Sequence, residues 1–198
     1  MDLALFSLIG TAVFAASGAL AADQERFDIV GALFLSVAAG LGGGTIVDLL
    51  IGHAPVRWVA DPAPLWIAAG AGTASFLALR VARPPLRLLD WADAAGLAVF
   101  TASGMERLTT LDLGPGVAVV LTAIGACGGG IVRDVIANRA PLVFSGELYV
   151  TAALIGAAAF LVADAAAAGA GLFTALLVTA IVRGAGLVFG LRLIHGRG

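Results

Sequence analysis

Two glycine triplets, each followed by an aspartate, are the residues best placed to do chemistry. The six glycines are Gly42, Gly43, Gly44, Gly128, Gly129 and Gly130. Asp48 lies four residues after the first triplet and Asp134 four after the second. Successive glycines weaken a helix, and a broken membrane helix exposes carbonyls that can bind a cation. We therefore predict broken helices with potassium bound at backbone carbonyls of the glycine breaks, and with the two aspartates marking the ends of one ion path. Close helix packing is the alternative, but it calls for small residues four apart rather than in succession.

Two serines and three charged residues complete the candidate site. Ser17 and Ser103 lie in matching Ala-Ser-Gly blocks, where they either line the path or bond back to their own helix. Arg133, Arg183 and Glu106 are candidates for gating or charge pairing, since a charge inside a membrane span is costly unless paired or hydrated. The partner of Arg183 is open between Asp134, Asp48 and Glu106.

The composition excludes most soluble proteins. Of 198 residues, 61% are hydrophobic and only 12% are charged, and mean hydropathy is +1.05, against about 25% charged residues in a soluble domain. A disordered chain and a nucleic-acid binder with a basic face are excluded. The single cysteine allows no internal disulfide, and HExxH and GxSxG motifs are lacking, so we expect neither an enzyme nor a bound cofactor. An all-α integral membrane protein in contact with the lipid bilayer remains.

Seven apolar stretches of about 20 residues predict seven transmembrane helices in one membrane domain, 1–198. They cover 3–22, 29–51, 63–82, 91–110, 114–137, 147–164 and 170–193. The first has no basic segment before it, so we interpret it as a retained span rather than a cleaved signal peptide. Two arginines fall in connections on the side of the N-terminus and seven on the other side. The positive-inside rule then predicts an outer N-terminus and a cytoplasmic C-terminus. All basic residues are arginines, as in GC-rich bacterial genomes, and the location expected is the bacterial inner membrane.

The chain repeats itself after 86 residues. At this shift Gly10–Gly18 lies over Gly96–Gly104, the two triplets coincide, and Asp48 lies over Asp134. Three separate blocks at one offset predict a three-helix repeat over 5–82 and a second over 91–168, followed by a seventh helix over 170–193. Because three is odd, the second copy must be inverted in the membrane, as in many transport proteins.

These features resemble one family, the trimeric intracellular cation channels in their prokaryotic branch, also catalogued as a glycine-transporter-like domain. The most specific stretch runs from Gly128 to Asp134 and includes Arg133; Pro141 and Glu147-Leu148-Tyr149 follow it. The resemblance implies a homotrimer with one cation pore inside each protomer, lined by kinked helices 2 and 5. The first repeat departs from the family pattern, because Val47 stands where relatives often have arginine.

Two functions compete on these grounds. One is a monovalent cation channel, chiefly for potassium, in which carbonyls and carboxylates replace part of the hydration shell. The other is a secondary carrier for a small solute such as glycine, with alternating access between the repeats. Unitary current steps identify a channel, whereas saturable, coupled uptake identifies a carrier.

Overall fold

The structure is a computed structural model that describes residues 3–81, 85, 87–145 and 147–193. Within these ranges it contains eight α-helices and one 3-10 turn, with no named strand. The helices are α1 (Leu3–Gln24), α2 (Ile29–Leu50), α3 (Arg57–Ala60), α4 (Ala63–Leu79), α5 (Leu88–Leu108), α6 (Pro115–Ile136), α7 (Val150–Ala166) and α8 (Gly171–Phe189). The 3-10 turn covers Leu142–Phe144.

Seven of these helices lie on the seven predicted spans, with ends shifted by a few residues. Four are long and apolar enough to cross a membrane by length and composition, namely Ala4–Gln24, Ile29–Leu50, Pro115–Ile136 and Gly171–Phe189. Two further apolar helices, α4 and α7, have 17 residues each, and α5 carries four charged side chains within its span. The protein is an all-helical membrane protein. The one-turn helix α3 was not predicted.

Local chemistry explains where several helices begin and end. The Asp28 side chain accepts a hydrogen bond of 2.7 Å from the Gly31 N–H, which caps the start of α2. Pro115 is the first residue of α6, a position where proline loses no helical hydrogen bond. Gly190 takes a left-handed conformation and ends α8.

The helices pack in a reciprocal arrangement. α1 packs against α2 and α4, as α5 packs against α6 and α7, while α1 meets α5 and α2 meets α6 at the centre. α8 has no counterpart and packs against α5 and α7. The core is rich in small residues such as Ala15, Ala19 and Ala153, because helices without a hydrophobic drive between them associate through close van der Waals contact.

Both glycine triplets lie inside uninterrupted helices, so the prediction of broken helices is wrong. α2 runs through the first triplet and α6 through the second. The helical cost of glycine, about 1 kcal/mol each relative to alanine, is offset by the close approach that the missing side chains allow. Backbone carbonyls are therefore not released at the triplets, and the predicted potassium site on such carbonyls loses its basis.

Candidate functional site

α2 and α6 cross at the middle glycines of the two triplets. A Cβ on Gly43 would collide with the carbonyl oxygen of Gly125, and a Cβ on Gly129 with the carbonyl oxygen of Ala39. The two contacts are equivalent under the 86-residue offset, because Gly43 corresponds to Gly129 and Gly125 corresponds to Ala39. The crossing is therefore antiparallel and locally two-fold, with glycine Cα–H groups packed against carbonyl oxygens of the opposite helix.

The three glycines of a triplet face different neighbours, because successive helical residues point about 100° apart. On α2, Gly42 faces the Val132 side chain and Gly43 faces the Gly125 carbonyl, both on α6, whereas Gly44 faces Arg57. This geometry explains three glycines in succession: the packing alternative applies, with each position serving its own contact.

α1 and α5 meet at a pair of aromatic rings on the same local two-fold. The rings of Phe14 and Phe100, which are 86 positions apart, have centroids 5.4 Å apart. Gly96 makes room for Phe14, since a Cβ there would lie 2.8 Å from the ring, and Gly10 makes room for Phe100 at 3.2 Å. The two rings and the two glycine contacts thus lie together where α1 meets α5.

One side of this centre is built around Asp48, at the C-terminal end of α2; we call it the Asp48 end. Asp48 is 1% exposed. Its carboxylate accepts hydrogen bonds from the Arg57 backbone N–H at 3.0 Å, from Arg57 Nε at 3.1 Å and from Arg107 Nη2 at 2.7 Å. Two arginines on α3 and α5 therefore share one carboxylate on α2, and the formal charge of this group is +1.

The Asp48 end opens into a cavity of about 350 Å³, which we call the vestibule. Charged and polar side chains on its wall are Ser7, Thr11, Thr45, Asp48, Arg57, Asp61, Ser103, Arg107 and Thr122. Trp58 also lines it and donates a 2.9 Å hydrogen bond from Nε1 to the Thr45 hydroxyl. The vestibule reaches Phe100 and Gly125, so it ends at the central ring pair and the helix crossing.

The other side is built around Asp134, at the C-terminal end of α6; we call it the Asp134 end. Arg133, 1% exposed, donates from Nε to Asp134 at 2.8 Å and from Nη1 to Asp93 at 2.7 Å and to the Ser17 hydroxyl at 2.9 Å. Ser17 in turn donates to the Phe14 carbonyl at 2.7 Å. One arginine joins two carboxylates here, the formal charge of the three side chains is −1, and all four residues of the cluster are buried.

A second buried arginine lies behind this cluster. Arg183 donates from Nη1 to Glu147 at 2.8 Å and stands 5.2 Å from the centre of the Tyr149 ring. Its partner is thus none of the three carboxylates considered from the sequence. Glu106 is partly exposed and makes no ion pair among the described residues.

The predicted site residues therefore divide between the two ends. Ser103 lines the vestibule and Ser17 joins the Asp134 end, where it both bonds back to its helix and accepts from Arg133. Sequence reasoning missed Asp93 as a site residue. Arg57 and Arg107 entered only as topology charges, and Glu147 and Tyr149 only as part of the family resemblance. Asp93 carried a usable signal, because an ionisable residue inside a predicted span is a functional candidate by default.

Comparison with known proteins places the chain in a family of membrane proteins. The family described as Glycine transporter matches residues 4–80 and again residues 90–165. The UPF0126 inner membrane protein YadS of Escherichia coli (strain K12) is 43% identical over 153 residues, which are 75% of this chain and 72% of YadS.

Solved structures match over nearly the whole chain. The "TRIC trimeric intracellular cation channel orthologue from Rhodobacter sphaeroides" has a TM-score of 0.90 and 37% identity, covering 96% of this chain and 98% of that one. A second, described as "Structural basis for conductance through TRIC cation channels", has a TM-score of 0.86 and 31% identity, covering 100% and 98%. These neighbours are channels rather than enzymes, and they support a cation channel. The chain belongs to the glycine-transporter family of UPF0126 membrane proteins, the prokaryotic branch of the trimeric intracellular cation channels.

Proposed function

We propose that the protein is a potassium-conducting cation channel of the bacterial inner membrane, with one ion path inside each protomer along α2 and α6. The neighbours described as cation channels support the function, and the relative named an inner membrane protein supports the location. Potassium ions are the small partner that this function requires. The Rhodobacter sphaeroides neighbour, a trimeric channel, supports a homotrimer here.

The repeat and the topology belong to the same proposal. Two family matches that begin 86 residues apart, at 4 and 90, and the reciprocal contacts at Gly43 and Gly129 support two inverted three-helix halves. Seven membrane spans put the termini on opposite sides, and the distribution of arginines puts the N-terminus outside. The Asp48 end then faces outward and the Asp134 end faces the cytoplasm.

The observation that carries the proposal is the difference between the two ends. The vestibule gives ions entry to the centre from the Asp48 end, while Arg133 fills the path at the Asp134 end, held by Ser17, Asp93 and Asp134. The arrangement corresponds to a closed channel. Arg133 is the gate, because it is the cationic side chain that directly joins α1, α5 and α6 on the path.

Cation preference follows from the charges at that gate. When Arg133 moves aside, Asp93 and Asp134 face the path with a formal charge of −2, and carboxylate oxygens replace water around a passing cation. At the Asp48 end the two arginines neutralise the carboxylate, so Asp48 serves to hold α3 and α5 rather than to bind the ion. Selectivity among monovalent cations is modest, since side chains rather than a rigid ring of carbonyls line the path.

Single-channel recording of the purified protein in a planar bilayer under a KCl gradient tests the proposal. We expect unitary steps that reverse near the potassium Nernst potential. Arg133→Gln is expected to raise the open probability about tenfold or more, because removing the cation of a buried ion pair destabilises the closed state strongly. Asp134→Asn is expected to lower the conductance.

The matched control is Arg183→Gln. This variant removes the buried arginine of the Arg183–Glu147 ion pair and leaves the contacts of Arg133 intact. An equal effect of the two arginine variants on open probability would contradict the assignment of the gate. A silent bilayer together with saturable, gradient-coupled solute uptake in liposomes would replace the channel with a carrier.

A further inference from the structure

The vestibule has hydrogen-bond donors that the protein itself does not use. Arg107 donates a hydrogen bond to Asp48 from Nη2 only, and Arg57 donates to Asp48 from its backbone N–H and from Nε. The remaining guanidinium N–H groups of both arginines make no further hydrogen bond among the described residues. Arg57 Nη2 lies against the wall at Gly44, 3.4 Å from where a Cβ would stand. Donors of two cations therefore border one cavity.

Two hydroxyls on the inner wall also make no hydrogen bond as donors or acceptors with any other described residue. Thr122 is buried and its Oγ1 has no hydrogen-bond partner within the described structure. Ser103 lines the same cavity one helical turn before Arg107, so the two side chains share a face of α5. By contrast Ser17, at the position equivalent to Ser103, is fully engaged by Phe14 and Arg133.

The unused donors of the vestibule suit an anion. The four ionisable residues on its wall, Asp48, Asp61, Arg57 and Arg107, sum to a formal charge of zero. Asp61 is exposed on the rim, where its carboxylate accepts the Ala63 N–H at 3.0 Å, so the inner cluster of Asp48, Arg57 and Arg107 has a formal charge of +1. A carboxylate that receives charge-assisted hydrogen bonds from the two guanidinium groups would balance this inner charge. A volume of about 350 Å³ is at the lower end for small-molecule sites, and Leu8, Leu41, Trp58 and Phe100 supply apolar wall.

We propose that the vestibule is a binding site for a small organic monoanion, a carboxylate carried on a compact apolar group. The carboxylate lies between Arg57 and Arg107 and accepts from Ser103 or Thr122, and the apolar group packs against Trp58 and Phe100. Binding fills the entrance to the proposed ion path. Only the resulting block of current rests on the proposed function; the binding does not.

Trp58 reports on this site directly. We would purify the Trp66→Phe/Trp91→Phe protein in lipid nanodiscs, which leaves Trp58 as the sole tryptophan. The fluorescence titration uses 3-methylbutanoate, its neutral amide and 3-methylbutylammonium at constant chloride. We expect a saturable response to the carboxylate at a concentration at least tenfold below that for the amide, and none to the ammonium.

Variants assign the donors. Arg107→Gln is expected to weaken carboxylate binding about tenfold. Ser103→Ala, which disturbs the fold less, is expected to weaken it two- to fivefold. The matched control is Arg87→Gln, which lies at the other end of α5 and is expected to leave binding unchanged. Equal binding of carboxylate and amide, no saturable response, or equal loss in all three variants would each overturn the site.

Recording currents on the same preparation separates the two proposals. Potassium steps that 3-methylbutanoate leaves unchanged, together with no Trp58 response, would remove the site and leave the channel. A saturable Trp58 response in a protein without unitary currents would keep the site and remove the channel.

Discussion

The Asp48 end and the Asp134 end share one backbone plan and differ in side chains. After α2 the His53 N–H returns to the Asp48 carbonyl at 2.8 Å, and after α6 the Arg139 N–H returns to the Asp134 carbonyl at the same distance. Gly52 and its equivalent Asn138 both have positive φ, 70° and 55°. The helical framework is therefore alike at both ends down to the hydrogen bonds of the helix caps.

The chemistry differs because the arginines fall on non-equivalent positions. At an offset of 86, the equivalents of Arg57, Arg107 and Arg133 are Val143, Ala21 and Val47. One end consequently has two arginines for one carboxylate and borders the vestibule, while the other has one buried arginine for two buried carboxylates. The two ends thus share the geometry of their helix caps, and a few charges at non-equivalent positions distinguish them.

The largest expected effect compares the arginines. Arg133→Gln leaves Asp93 and Asp134 buried without their cation, so we expect the free energy of unfolding to fall by about 3–5 kcal/mol. Arg107→Gln leaves Asp48 paired with Arg57 beside an open cavity, and the expected loss is about 1 kcal/mol. Unfolding titrations in mixed detergent micelles measure both; equal losses would show that the two ends are electrostatically alike.

The crossing glycines should behave identically, in contrast to the arginines. Gly43→Ala and Gly129→Ala each drive a Cβ into a backbone carbonyl of the opposite helix, and overpacking of this kind costs about 1–3 kcal/mol or more. The same titrations are expected to give equal losses for the two variants. A difference of more than about 1 kcal/mol between the two losses exceeds the scatter of about 0.3–0.5 kcal/mol expected for equivalent, independent sites. Such a difference would show that the two glycines are not in equivalent positions.

The last glycine of each triplet should separate the ends again, by a smaller amount. A Cβ on Gly130 would lie 2.8 Å from Tyr149 Oη and 3.1 Å from Asp93 Oδ1, whereas one on Gly44 meets only Arg57 Nη2 at 3.4 Å. We expect Gly130→Ala to lose about 1–2 kcal/mol and Gly44→Ala to be neutral or gain up to about 1 kcal/mol of helix propensity. Loss of stability in Gly44→Ala would mean that the vestibule wall is as tight as the Asp134 end.

Most of the helical architecture was accessible from the sequence. Apolar stretches of about 20 residues predicted the long helices, since a bilayer forces backbone hydrogen bonds to close within each segment. Charge and glycine inside those stretches pointed to Asp48, Asp134 and Arg133. The prediction that the helices break at the triplets was wrong. The destabilising effect of glycine on a helix is local and visible in the sequence, whereas the stabilising close contact at the crossing involves a second helix.

By itself, then, the sequence determined a membrane protein, the approximate positions of its long helices and the 86-residue offset, which follow from local hydropathy and self-similarity. The family followed from the resemblance of the stretch from Gly128 to Asp134. Only the tertiary structure decided which charges meet. Arg133 pairs with a serine 116 positions away and Arg183 with a glutamate 36 positions away. Such partners depend on how helices are packed and rotated against each other, and that packing depends on contacts from several helices at once.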